Sequence, residues 1–127
     1  MSKTLLTFSR IFLGFIFLAA GINGYFVIVG LEPFIATSPE AMALFEFQYL
    51  LITEKSLEVL AGILLLSNRF VPLALAILSP IIINIFLLHL FVDRSLLLLA
   101  ILLVITYGHM LYFYRQKFSS LLEKRGI

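Results

Sequence analysis

The chain contains no cysteine, and none of the common soluble-enzyme motifs is present. Without cysteine the protein can form neither a disulfide nor a thiolate metal site, and it can carry out no thiol chemistry. The sequence has no GxGxxG, P-loop, HExxH or GxSxG pattern. Its two histidines, His89 and His109, are far apart in the chain, so we expect no metal site. Whether the chain is an enzyme is left open by these observations.

Charged residues are also scarce, and their scarcity indicates which solvent surrounds the folded chain. Charged residues make up 13% of the 127-residue chain and hydrophobic residues 62%, whereas soluble domains average about 25% and about 45–50%. The mean hydropathy is +1.14. A single domain of this size leaves much of its surface in contact with solvent. That solvent must therefore be lipid, and the sequence predicts an integral membrane protein.

The apolar segments predict an all-α fold with four membrane spans. They cover about residues 5–29, 50–67, 71–91 and 95–114, each near the length of about 20 residues that a bilayer requires. We interpret the first as an uncleaved span, and we expect a short interfacial helix over about residues 39–49. Short turns join the last three spans, which predicts an up-down four-helix bundle in one domain covering residues 1–127.

The distribution of cations predicts the orientation. Most lysines and arginines fall on one side of the predicted spans, and only two fall toward the other: Lys3, Arg10, Arg69, Arg115, Lys117, Lys124 and Arg125 against Lys55 and Arg94. The positive-inside rule then places both termini in the cytoplasm. We expect a multi-pass protein of the bacterial inner membrane.

Polar residues within the spans mark a candidate ligand-binding site. Glu58, Asn84 and Asn23 lie at similar depths in the outer half of three different spans, and an ionisable residue at such a depth indicates a function by default. Lys55 can pair with Glu58 at i,i+3. His89 is the fifth candidate, although it is about 140° from Asn84 on a straight helix. The alternative is that Lys55 neutralises Glu58 while the asparagines hydrogen-bond across helices, without any ligand.

The sequence resembles the DoxX family of small bacterial membrane proteins. The resemblance covers nearly the whole chain and rests on six segments: RIFLG (10–14), AGIN (20–23), EVLAG (58–62), NRFVP (68–72), PIIIN (80–84) and HLF (89–91). It implies a four-helix membrane protein with Glu58, Asn84 and His89 at family positions. Some relatives are subunits of quinone-linked, sulfur-oxidising enzymes, and most have no settled function. Where relatives often carry a lysine, this chain has Gly24.

Three functions remain as hypotheses. The outer-half site could bind a small molecule or a quinone headgroup, in which case the protein would be a redox-associated accessory subunit. It could instead lie on the pathway of a small transporter or channel component. The third hypothesis is a membrane scaffold. The expected partners are the lipid bilayer and a membrane or redox protein, with a homo-oligomer left open and no nucleic acid expected.

Overall fold

The structure, a computed structural model, describes residues 3–32, 48–92 and 94–122. Within these ranges its regular structure is helical and no strand is present, which confirms the predicted all-α class. The α-helices are α1 (Lys3–Ile28), α2 (Gln48–Ser67), α3 (Val71–Phe91) and α4 (Leu97–Phe113), with 3-10 segments at Arg94–Leu96 and Arg115–Leu122. The predicted interfacial helix lies mainly outside the described residues, and its last two positions, Gln48 and Tyr49, belong to α2.

Helix ends occur where the backbone leaves the helical region. Gly30 has φ of 82° two residues after the end of α1. The turn between α2 and α3 contains two left-handed residues, Asn68 (φ 57°) and Phe70 (φ 51°). Pro72 then lies in the first turn of α3, where its missing N–H leaves no hydrogen bond unmade. These local signals account for the close match between the predicted and observed helix bounds.

The helices contact one another in a closed ring. α1 packs along α2 over the most extensive contact, α2 packs on α3, α3 on α4, and α4 returns to α1. Each helix contributes to the buried core, whose members include Leu13, Phe17, Ala61, Leu65, Leu75, Leu78, Leu103 and Met110. The outward-facing positions carry large apolar side chains such as Phe8, Phe15, Leu73, Ile83, Leu98 and Ile105.

Three helical segments are long and apolar enough to cross a membrane: Lys3–Ile28, Val71–Phe91 and Arg94–Phe113, with mean hydropathies of 2.1, 2.5 and 2.2. Apolar residues cover most of their exposed surface, which suits contact with a bilayer. The prediction of a membrane protein is confirmed to this extent. α2 has a similar length but carries Glu54, Lys55 and Glu58, so it does not belong to this apolar set.

Candidate functional site

An acid–base cluster lies on α2. The Lys55 ammonium Nζ is 3.2 Å from Glu58 Oε2, and the side chains are 18% and 2% exposed. This contact confirms the predicted i,i+3 pair. Glu54, one turn before Glu58, is half-buried. We call Glu54, Lys55 and Glu58 the acid–base cluster.

Two glycines of α1 allow α2 to approach at the level of this cluster. A Cβ atom on Gly24 would collide with Cγ and Cδ of Lys55 and would lie 2.7 Å from its Cε. A Cβ atom on Gly21 would lie 2.5 Å from Val59 Cγ2 and 3.0 Å from the Lys55 carbonyl oxygen. The aliphatic stem of Lys55 therefore lies across Gly24, where the family resemblance implies a lysine in relatives.

Small residues bring α1 and α2 together elsewhere along their interface as well. Gly62 of α2 meets α1 directly, because a Cβ atom there would be 2.7 Å from the Leu18 amide nitrogen and 2.9 Å from the Gly14 carbonyl oxygen. On α1, Ala20 is only half-buried. Gly21 provides the close contact instead. The seven-residue spacing from Gly14 to Gly21 was the available signal, since seven residues return nearly to the same helix face.

Asn23 lies in the interior beside the cluster. Its side chain is 6% exposed, and it directly precedes Gly24, the residue that contacts Lys55. Two residues further along α1, the Tyr25 hydroxyl is hydrogen-bonded to the Ser56 hydroxyl of α2. The structure thus places Asn23 and the cluster at the same level of the α1–α2 interface.

Asn84 does not lie in the interior. Its side chain is exposed on α3, whereas we expected it to share a buried polar layer with Glu58 and Asn23. The reason is the phase of the helix: the buried stripe of α3 includes Leu78 and Ile82, and Asn84 is about 200° around the axis from Ile82. His89, seven residues after Ile82, falls back on that stripe and is half-buried. The inference that Asn84 and His89 cannot share a face agrees with these positions.

Arg10 makes a contact that the sequence did not reveal. Its guanidinium Nη1 donates hydrogen bonds to the Leu65 carbonyl and, at 3.2 Å, to the Leu66 carbonyl at the C-terminal end of α2. Those carbonyls belong to the last turn of α2, where a carbonyl oxygen has no amide partner within the helix itself. A cation there also complements the helix dipole. Nothing in the local sequence around Arg10 indicates which helix end it would meet.

The same end of the molecule contains two polar side chains of α4. The Tyr107 hydroxyl donates a hydrogen bond to the Leu75 carbonyl at 2.7 Å. His109 Nε2 is buried and has no hydrogen-bond partner among the residues that the structure describes. Within the same ranges, no three acidic or histidine side chains are grouped as metal ligands.

Comparison of the chain with protein-family models, with curated proteins and with solved structures found no match. The resemblance to the DoxX family therefore stays a prediction that rests on the six segments alone. The candidate site must be judged by its own geometry. It offers an ammonium donor and two carboxyl groups, all within two turns of one helix.

Proposed function

We propose that the chain is a DoxX-like protein of the bacterial inner membrane that crosses the bilayer four times. The additional span is α2, whose 20 residues extend about 30 Å at 1.5 Å per residue. Its exposed positions include Leu50, Ile52, Leu60 and Ile63, while Glu58 is buried. A helix with an apolar exterior and paired charges inside suits lipid contact better than its overall composition suggests. The excess of cations at one end supports cytoplasmic termini.

We further propose that the acid–base cluster binds the polar head of a small molecule, with a quinone headgroup as the leading case. The observation that carries this proposal is the ion pair of Lys55 with the buried Glu58. Lys55 Nζ and Glu58 Oε2 are 3.2 Å apart, on the side of α2 that packs against α1. Burying an ion pair is costly, and apolar residues of similar size often stabilise a protein as well or better. In this proposal Lys55 donates to a ligand oxygen, Glu58 accepts or carries a proton, and Asn23 orients the ligand.

The protein would then act as an accessory subunit of a redox enzyme rather than as its catalytic subunit. The cluster can exchange protons with a bound quinone headgroup, but the described residues contain no metal-ligand group for electron transfer. Electrons would have to come from a partner. Asn84 and His89 of α3 remain in the proposal as residues at the outer end, with Asn84 on the exposed face.

The scaffold hypothesis has its own supporting observation. Lys55 fits tightly over Gly24, and Gly21 meets the Val59 amide nitrogen, so the ion pair also fixes the register of α1 against α2. The transport hypothesis needs a polar route from Glu58 to Tyr107 and His109. Along that route the Tyr107 hydroxyl is already committed to the Leu75 carbonyl.

The test compares Glu58→Gln with Glu32→Gln, a matched change at an exposed position after α1. A short-chain quinone is titrated into the purified chain in lipid nanodiscs, and circular dichroism confirms that both variants keep their helix content. We expect affinity to fall at least about tenfold in Glu58→Gln, which corresponds to about 1.4 kcal/mol, and to stay unchanged in Glu32→Gln. Normal binding by Glu58→Gln removes Glu58 from the ligand site. No binding of quinone, thiosulfate or organic anions by the native chain favours the scaffold.

A further inference from the structure

One end of the helices collects cations from three separate parts of the chain. The start of α1, the turn between α2 and α3, and the end of α4 meet there. The Arg10 bond to the Leu66 carbonyl ties the start of α1 to the end of α2. The Tyr107 bond to the Leu75 carbonyl ties the last turns of α4 to the start of α3. We call this the basic end and define it by its exposed cations, Lys3, Arg69, Arg115 and Lys117.

Acidic residues do not balance these cations within the described ranges. The carboxylates described there are Glu32, Glu54 and Glu58, and they belong to the opposite half of the molecule. At that opposite end, Lys55 is paired with Glu58, and Arg94 Nε donates to the Leu90 carbonyl at 3.2 Å. The basic end is therefore a concentration of positive charge without a nearby counter-charge from the described protein.

The basic end also exposes large apolar and aromatic side chains between its cations. Phe70, next to Arg69, is 69% exposed, and Leu121, close to Lys117, is 74% exposed. The segment Arg115–Leu122 is anchored because Phe118 packs against the core. Arg115 is held in place by stacking 4.3 Å over the Tyr112 ring. Alternating cations and exposed apolar groups suit the depth at which lipid headgroups join their acyl chains.

A shallow, open groove on α1 begins at this end and follows one face of the helix. It is lined by Lys3, Thr4, Thr7, Phe8 and Ile11. The order of these residues places an ammonium and two hydroxyls at the start and apolar groups further along. From Lys3 to Ile11 the helix rises about 12 Å. A molecule with an anionic head and an apolar tail matches this sequence of groups.

We propose that the basic end binds an anionic phospholipid. The phosphate lies at Lys3, the other exposed cations of the basic end supply the surrounding positive charge, and one acyl chain lies in the α1 groove against Phe8 and Ile11. Clusters of lysine and arginine beside membrane spans attract anionic lipid headgroups. This inference depends on the proposed membrane placement, but it does not depend on any ligand of the acid–base cluster.

The experiment measures the thermal unfolding midpoint of the full chain in neutral detergent during lipid titration. Phosphatidylglycerol should raise the midpoint by several degrees, phosphatidylcholine should raise it much less, and high salt should reduce the difference. The triple variant Lys3→Gln/Arg69→Gln/Lys117→Gln should lose the phosphatidylglycerol shift. Arg94→Gln, at the opposite end, should keep the shift, and so should Glu58→Gln, which separates this proposal from the function of the cluster.

Three outcomes would overturn the proposal. The first is equal stabilisation by the two lipids, since charge would then contribute nothing. The second is loss of the shift in Arg94→Gln but not in the triple variant, which would place the lipid at the other end. The third is a full shift produced by inorganic phosphate alone, because the occupant would then be a free anion and not a lipid. A triple variant that keeps its helix content in circular dichroism makes each result interpretable.

Discussion

At the scale of single residues, the closest contacts between helices involve glycines of α1 and α2. Gly24 accommodates the stem of Lys55, and that stem carries the ammonium to Glu58. Gly21 differs from Gly24, because its neighbours include backbone atoms, the Lys55 carbonyl oxygen and the Val59 amide nitrogen, each 3.0 Å from a Cβ at that position. A flexible lysine stem can move aside, whereas the backbone of a packed helix cannot.

Gly21→Ala should therefore destabilise the protein by about 1–3 kcal/mol, the usual range for overpacking. The matched control is Gly108→Ala in α4, where nothing lies within 4 Å of the added Cβ. There the better helix propensity of alanine should make the change neutral or stabilising by up to about 1 kcal/mol. The measurement is the free energy of unfolding in mixed micelles. Equal effects of the two substitutions would contradict the close approach of α1 to α2 at Gly21.

The residues show where prediction from sequence succeeds and where it stops. The Lys55–Glu58 pair was predictable because both residues belong to one helix, and the i,i+3 spacing fixes their separation. Asn84 lies on the exposed side of α3 and not in the interior, since the direction in which a residue faces depends on the whole buried stripe of its helix and not on its position along it. The Arg10 contact depends on how two helices pack, and no local pattern contains that information.

At the scale of elements, α2 combines the most polar sequence with the most extensive packing against α1. Its charges are placed toward the interior, and its last turn receives the Arg10 guanidinium from α1. The bounds of α3 were predicted correctly as Val71–Phe91, because the left-handed turn and Pro72 mark its start. The bounds of α1 and α2 each extend two residues beyond the predicted start. Frayed or polar helix ends explain such differences.

Removal of the Arg10 contact should loosen the end of α2. Arg10→Gln removes charge-assisted hydrogen bonds to two carbonyls, so we expect a loss of about 1–3 kcal/mol in the free energy of unfolding. Arg10→Lys should lie between Arg10→Gln and the native chain, since a lysine keeps the charge but not the fork of donors. Hydrogen exchange should accelerate at the Asn68 and Arg69 amides, which donate to the Leu65 and Leu64 carbonyls.

The control for that experiment is Arg69→Gln, which removes an exposed cation from the same end. In neutral detergent, where no anionic lipid is present, this change should be within about 0.5 kcal/mol of the native chain, as is usual for surface substitutions. An Arg69→Gln effect as large as that of Arg10→Gln would mean that net charge at this end, and not the contact with α2, stabilises the helix.

At the scale of the whole molecule, the membrane topology depends on whether α2 crosses the bilayer or lies along its surface. If α2 crosses the bilayer, the helices alternate in direction through the membrane, and residues before and after α2 lie on opposite sides. If α2 lies along the surface, Glu32 and the turn at Asn68–Arg69 lie on the same side. The closed ring of helix contacts and the buried Glu58 favour a crossing. A surface helix would have no reason to bury its charges and expose Leu60 and Ile63.

The natural lack of cysteine makes this question directly testable. Single substitutions Glu32→Cys, Arg69→Cys and Lys117→Cys place one thiol at each of three exposed positions. In intact spheroplasts, a membrane-impermeant maleimide should label Glu32→Cys and spare the other two, which should react only after permeabilisation. Labelling of both Glu32→Cys and Arg69→Cys from outside would remove α2 from the set of spans. Labelling of Arg69→Cys and Lys117→Cys, with Glu32→Cys spared, would keep four spans but invert the orientation, and the basic end would then face away from the cytoplasm against the positive-inside rule.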